Sequence, residues 1–550
     1  MHPLQESFRH ICNWSNATRM NSNAALLTAP SPLQMTKSSN SGDAMKEMAG
    51  STPAAGGHMM SATDPDNPQN WPVYKKVYVS VVAFAFSWVV AFGATAYTPG
   101  ITGVVQHLDV TMQVAILGFS LYLLGIAFAP IITPHLSERY GRQAVYLVTL
   151  PIFAFFILGA SFSHSFAALA VCRFFAGFFG GPSLVLIEGT FADVWSAQIT
   201  VAYYSVLAVS SFTGAAAGPL IGGFIFAYGG WRWTQWIVLI LALPIYLFGI
   251  AMPDTYPREI QRRRAKRTGT PLKLLSAQSG VTLADMFTVT FLTPIKMLLT
   301  EPIVIGLSLY VGFIFGVTFQ FFISIPAVLE LTYSFTVQQV GIAFSAAILG
   351  SILSTVMSMA IDFSVPHWCT KNHDGTVPEE YRMLPAMIGG LMVTTSLFWI
   401  AWTAKPSVHY LSPIFGTTLY IWGAMSIIIS SISYLFDAYP PRNTLSALTA
   451  AASFRLVIAA IIPLVIIEMI TNLTGAWAVS TFGFISTAFA PIPWILYLFG
   501  ARLRAHSKYN PPMPASMMKG HLGRDEEMQR EGMQMQGTQM QGMQDGMQAH

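Results

Sequence analysis

Charge is scarce in this chain. Asp, Glu, Lys and Arg make up 10% of its 550 residues, against 53% hydrophobic, whereas a soluble domain carries about 25% charged residues. So few charges over so much apolar mass exclude an ordinary water-facing surface. They leave the lipid bilayer as solvent, where a helix satisfies its own backbone hydrogen bonds. The net charge is only +4, without the dense basic face that nucleic acid requires. Cysteine is also scarce: Cys12, Cys172 and Cys369 offer no disulfide framework. His367, Cys369 and His373 lie close in one loop, but a zinc site needs a closed set of four ligands, so we expect a solvated loop and no metal. No Ser/His/Asp set stands out, which argues against an enzyme. Met1 to Thr63 has no apolar core of the kind a cleavable signal carries, so the first apolar span is expected to act as the membrane signal.

Long apolar runs are what the sequence does have. A bilayer core needs about 20 apolar residues per helix. Six such runs lie at 76–97, 113–134, 144–163, 167–190, 200–227 and 234–252, and six more at 302–326, 337–361, 384–403, 411–435, 445–470 and 477–500. The expectation is an all-α membrane protein of twelve spans. A disordered cytoplasmic tail covers 1–73, a first six-helix bundle 74–252, a basic cytoplasmic linker 253–301 and a second bundle 302–500. A Met/Gln/Gly-rich cytoplasmic tail covers 501–550 and reads as low complexity, although its thioethers are ligands that suit Cu(I).

Lys and Arg set the orientation. With the N-terminus inside, the inner loops hold Arg139, Arg142, Arg258, Arg262, Arg263, Arg264, Lys266, Arg267, Lys371, Arg382 and Arg442, and the outer loops hold only Arg232 and Lys405. Both termini then face the cytosol. The sequons at Asn13 and Asn16 fall on that side and are discounted; Asn472-Leu473-Thr474 falls outside, tight against the membrane, as a weak glycosylation site.

Three strings carry chemistry. The turn after the second span reads Pro134-His-Leu-Ser-Glu138-Arg139-Tyr-Gly141-Arg142-Gln143; its charges can bond to helix ends and latch two helices. The fourth span carries Arg173 and Gly177, and an arginine among apolar residues faces a cavity or partner or snorkels to the interface. The fifth carries Gly214-Ala-Ala-Ala-Gly218-Pro219-Leu-Ile-Gly222-Gly223, whose small residues let another helix approach closely, with Pro219 as a bend.

In these strings the chain resembles the major facilitator superfamily. The turn departs from the family's Gly-x-x-x-Asp-Arg-x-Gly-Arg-Arg at Pro134, Glu138 and Gln143 but keeps Glu138-Arg139-x-Gly141-Arg142. The fifth-span string is complete and is similar to the family's antiporter signature. Asp64 to Trp71, Gly189 to Trp195, Gly230 to Trp233, Asp437 to Pro440 and Gly500 to Arg504 look like the fungal twelve-spanner drug:proton antiporters. The resemblance covers about residues 64–509. It implies two bundles around a central cavity, a latch at Glu138, Arg139, Gly141 and Arg142, a link between Arg173 and proton transfer, and Gly218 packed against the second bundle.

No carboxylate falls in mid-span, and Glu188, near the inner end of the fourth, is the best candidate for a proton carrier. Arg455 lies in the eleventh span and Glu468 near its outer end. Tyr122, Tyr203, Tyr204, Gln235, Tyr310, Gln320 and Arg455 are candidates to line the cavity. The expected function is export of a small organic compound — a drug, polyamine, organic acid or secondary metabolite — driven by the proton gradient without a bound cofactor. The protein is expected as a monomer in the plasma or vacuolar membrane. Proton-coupled uptake on the same fold, or a receptor or scaffold without transport, are the alternatives.

Overall fold

The computed structural model describes residues 64–195, 200–268, 291–372 and 379–509. Of the expected tails, 1–73 and 501–550, the residues before 64 and after 509 lie outside the described residues, as do the side chains of Tyr203 and Tyr204 and the His367–His373 cluster.

Asp64 to Trp71 forms a strap before the first span. Asn67 caps a short turn of 3-10 helix at Pro68–Asn70, and Pro72, extended, starts the helix proper. Twelve rods follow, all helical: α1 (Val73–Thr95, extended by Ile101–Leu108), α2 (Met112–Ala127 with Ala129–Tyr140), α3 (Arg142–Ser161), α4 (Phe166–Val194), α5 (Thr200–Gly229) and α6 (Trp233–Gly249) in the first half, then α7 (Pro302–Tyr333), α8 (Val337–Ala343 with Ser345–Asn372), α9 (Leu384–Thr403), α10 (Leu411–Ala438), α11 (Pro441–Leu473) and α12 (Gly475–Phe489 with Pro491–Ala505) in the second. Ten are long and apolar enough to cross a membrane, and α2, bent by 41°, makes eleven; α6 is apolar and shorter. The bend in α2 falls just before Pro130, which lacks the N–H a straight helix requires.

Local chemistry sets the ends. Thr111 and Ser165 accept backbone N–H groups at the starts of α2 and α4, and Thr336 with Gln339 forms a capping box at α8. Gly141 turns α2 into α3 at φ 84°, a conformation that side chains resist. The linker helix Pro257–Thr268 follows α6.

Within the first half, α1 packs on α4 and α5, α2 on α4, and α3 on α4 and α6. In the second half, α7 packs on α11, α8 and α9 on α10, and α9 on α12. Between the halves, α5 meets α8 and α10, and α2 meets α11.

Candidate functional site: the central cavity and its gates

A cavity of ≈ 170 Å³ lies between the halves. Leu307, Val311, Phe315 and Phe319, each four residues after the last, form one apolar wall along α7. Two charged residues line it, Glu188 from α4 and Arg455 from α11, and they attract each other electrostatically. The Arg455 guanidinium lies over the Phe315 ring, 5.5 Å from its centroid, and its Nε has no hydrogen-bond partner among the described residues. The cavity reaches towards the end that carries the linker helix, down to Pro134, Leu435 and Leu445.

The opposite end is closed. A β-carbon on Gly223 would stand 2.8 Å from the Val337 carbonyl oxygen, and one on Gly341 would stand 2.8 Å from that of Pro219. The Gln113 amide also donates to Glu468 at 2.8 Å, joining α2 to α11.

The fifth-span glycines therefore divide their contacts. Gly214 faces Trp88 and Ala91, Gly218 faces Thr95 and Ala96, and Gly222 faces Ala96 and Pro99, all on or just past α1 in the same half. Of the string's glycines, Gly223 meets the second half, where the Pro219 and Leu220 backbone also lies. This corrects the expectation for Gly218. Residues four apart share a face, whereas one step turns the helix by roughly 100°.

Arg173 is buried, which corrects the snorkelling alternative. Its guanidinium donates to the carbonyls of Gly93 and Ala94 at 2.9 Å, to that of Gly118 at 3.3 Å and to Gln235 Oε1 at 3.4 Å. The rings of Tyr97 and Tyr122 lie on it, each centroid 4.6 Å away. It ties α1, α2, α4 and α6 together, and no carboxylate is among these partners. Tyr122 and Gln235, expected on the cavity wall, serve this cluster instead; Tyr122 donates to the Val90 carbonyl at 2.7 Å. Tyr310 and Gln320 are buried in the second half and do not line the cavity, although their chain neighbours Val311 and Phe319 do. Asn472 is exposed near the end of α11.

At the linker end, a charge network joins four elements. Arg142 at the start of α3 grips Asp193 at the end of α4 through Nε (2.5 Å) and Nη2 (3.1 Å). Asp254 accepts the Arg142 backbone N–H at 3.2 Å and pairs with Arg263 of the linker helix at 3.3 Å. Burial pushes the Asp254 carboxyl above its usual range, against the hydrogen bonds and the arginine that favour its charged form. A side chain at 141 would run into that carboxylate. Of the four expected latch residues, Gly141 and Arg142 sit in this network. Glu138 and Arg139 are exposed, with Arg139 over the Tyr140 ring. The second half repeats the device: Arg382, before α9, binds Asp362 of α8 at 2.6 Å and Asp437 of α10 at 2.7 Å. Asp254 and Asp362 are not singled out in the sequence, and Asp193 and Asp437 stand there only inside family-like strings without a role; their signal is an acid at the end of a span with an arginine opening a neighbouring one.

Two six-helix halves, a cavity between them closed at one end, and paired charge latches at the other are the architecture of a membrane transporter. A sequence model of the Major Facilitator Superfamily matches residues 83–463. Polyamine transporter 4 of Saccharomyces cerevisiae is 31% identical over 500 residues, covering 85% of this chain and 74% of its own. MFS-type efflux pump MFS2 of Trichophyton rubrum is 32% identical over 483 residues, 86% of this chain and 81% of that one. Among solved structures, the proton:xylose symporter XylE shares the fold, with a TM-score of 0.56 at 14% identity over 80% of this chain and 97% of its own. The chain belongs to the major facilitator superfamily, with the fungal drug-type transporters as its relatives.

Proposed function

We propose that this protein exports a small organic compound in exchange for protons, with Glu188 as the proton carrier. One observation supports this reading above the others: Glu188 and Arg455 come from opposite halves, line the same cavity and attract each other. An ionisable group at membrane depth is costly and marks an ion or substrate path. Ionised Glu188 draws the two halves together through Arg455; a proton on Glu188 removes that attraction. A substrate cation competes with the proton for the same carboxylate, and such competition is the linkage an exchanger needs. The apolar α7 wall suits a hydrophobic body. A polyamine, as in the name of the yeast relative, or a drug or secondary metabolite bearing an amine fits this chemistry better than an organic acid. The protein acts as a monomer in the plasma membrane, with the proton gradient as its energy source and no bound cofactor.

The test uses purified protein in liposomes with a pH-sensitive dye inside, an imposed pH gradient, and spermidine and a hydrophobic amine as probes. Wild type should move protons opposite to the amine, and Glu188→Gln should abolish the proton movement because an amide does not titrate. Counterflow that survives in the Gln variant places the carrier elsewhere. Protons and amine moving in the same direction would favour uptake.

A further inference from the structure

The linker helix Pro257–Thr268 presents three faces. Glu259 and Arg263, four apart, turn to the latch: Arg263 binds Glu259 at 3.1 Å, Asp254 at 3.3 Å and Gln143 Oε1 at 3.0 Å. Ile260 packs against the core, and Arg264, four further on, binds Asp64 and Asp66 of the strap at 3.1 and 3.4 Å. These two faces fix the rotation of the helix. The third face carries Arg258, Arg262 and Lys266, again four apart and all exposed. Arg258 and Lys266 have no ion pair among the described residues, and Arg262 has only a 3.5 Å contact to Glu259. Like charges stacked at this spacing repel one another along a helix, so the stripe is unfavourable as it stands and is relieved by an anion.

Its position points to the source of that anion. The exposed side chains of Ile240, Leu243 and Leu247 run down α6 as a lipid-facing row, and Phe248 and Ile250 end it. The cationic stripe begins eight residues after Ile250, so it stands where the hydrocarbon gives way to headgroups. Basic clusters next to a span attract anionic lipid, with the attraction falling off within a Debye length. We propose that Arg258, Arg262 and Lys266 form a seat for anionic phospholipid headgroups in the leaflet at the linker end.

The test is lipid retention by the purified full-length protein from mixed micelles of phosphatidylcholine and phosphatidylserine in equal amounts, read by mass spectrometry. Wild type should retain phosphatidylserine preferentially, and less so as salt is raised. The variant R258Q/R262Q/K266Q should lose about fivefold of that preference for each cation removed. R258K/R262K, which keeps the charge, should behave as wild type. If the triple variant elutes as aggregate, the single variants R258Q and K266Q, each expected to lose about fivefold, decide the question. Equal retention of both lipids by wild type, or an unchanged preference in the glutamine variants, would overturn the proposal. So would soluble glycerophosphoserine binding as tightly as the lipid, since the seat would then be one for small anions.

Discussion

In the first half the large buried polar side chains are tied down. Arg173 donates to three carbonyls and to Gln235, Tyr97 to the Ala115 carbonyl, Tyr122 to that of Val90 and Thr95 to that of Ala215. In the second half, both side-chain polar atoms of Gln320, the Tyr310 hydroxyl and the Trp422 Nε1 find no hydrogen-bond partner among the described residues, nor do the hydroxyls of Ser308, Ser430, Ser431 and Ser433. The first half has smaller orphans of its own, among them the hydroxyls of Ser120, Thr133 and Ser183. The contrast lies in the large groups. A buried donor or acceptor left unmade costs about 1–3 kcal/mol, so these groups make the second half the one with hydrogen-bonding capacity in reserve. Ser431 brings part of that capacity to the cavity wall. The first half holds its large polar groups in fixed bonds, and the second keeps large polar groups with bonding capacity to spare.

The comparison breaks most visibly at Arg173 and Gln320. Arg173→Ala deletes every bond of the pin and leaves the Gly93 and Ala94 carbonyls, at the end of α1, short of a donor. At about 1–3 kcal/mol for each, it should lower the thermal midpoint of the purified protein sharply. Arg173→Lys keeps the charge but lacks the planar fork and should recover only part of the loss. Gln320→Leu should do the opposite, leaving stability unchanged or raising it by about 1 kcal/mol, because an apolar group replaces an unsatisfied one. Thermal unfolding followed by fluorescence checks all three. A large loss in Gln320→Leu would show that the two halves satisfy their polar groups alike.

The sequence made some of this legible and hid the rest. The spans could be read because crossing a bilayer demands contiguous apolar residues, and the α5 string could be read because its spacing survives in one dimension. Spacing does not say which neighbour a face meets, so Gly218 was assigned to the wrong half. Tyr122 and Gln235 show as polar residues in apolar helices, but only packing reveals that they turn to Arg173 instead of the cavity. Glu188 and Arg455 lie in different halves of the chain, and nothing local to either announces the other. The linker-end network was hidden for a similar reason: the family-like turn draws the eye to Glu138 and Arg139, yet the acids that hold Arg142 come from the ends of α4 and α6.

Gly218 and Gly223 sharpen the comparison between holding a half together and joining the two. Gly218→Ala puts a methyl group into the Thr95 hydroxyl, which is itself bonded to Ala215. Overpacking of this kind costs about 1–3 kcal/mol and should appear as lost stability of the first half. Gly223→Ala presses on the Val337 backbone at the closed end. Its strain exists only while that end is shut, so the same 1–3 kcal/mol should shift the conformational equilibrium by roughly tenfold towards forms open there. A cysteine at Ser211, on the cavity wall, should then react faster with an impermeant thiol reagent added at the closed end in Gly223→Ala than in Gly218→Ala. Equal reactivity in the two would dissolve the distinction.

The smallest effects separate the two latches from the turn that resembles one. Arg142 and Arg382 are each largely buried and bound to acids, with 14% of either side chain exposed. Arg142 holds one carboxylate, and its backbone N–H is held by a second, whereas Arg382 bridges two with its guanidinium. Replacing either by Ala takes the arginine from half-buried acids, at about 1–3 kcal/mol, in contacts that join helices of one half at the linker end. Transport should slow in both variants at matched expression, and more in Arg382→Ala, which frees two carboxylates from a side chain. Arg139 differs in kind. It is exposed and its contact is the Tyr140 ring, 5.6 Å from its centroid, an interaction of about 0.5–1 kcal/mol at an exposed site. Arg139→Ala should therefore transport within about twofold of wild type, because it removes neither an acid's partner nor a helix contact. Should Arg139→Ala slow transport as much as Arg142→Ala, the turn itself would have to engage a partner in another state of the cycle, and the acids at the ends of α4 and α6 would not be sufficient to account for the latch.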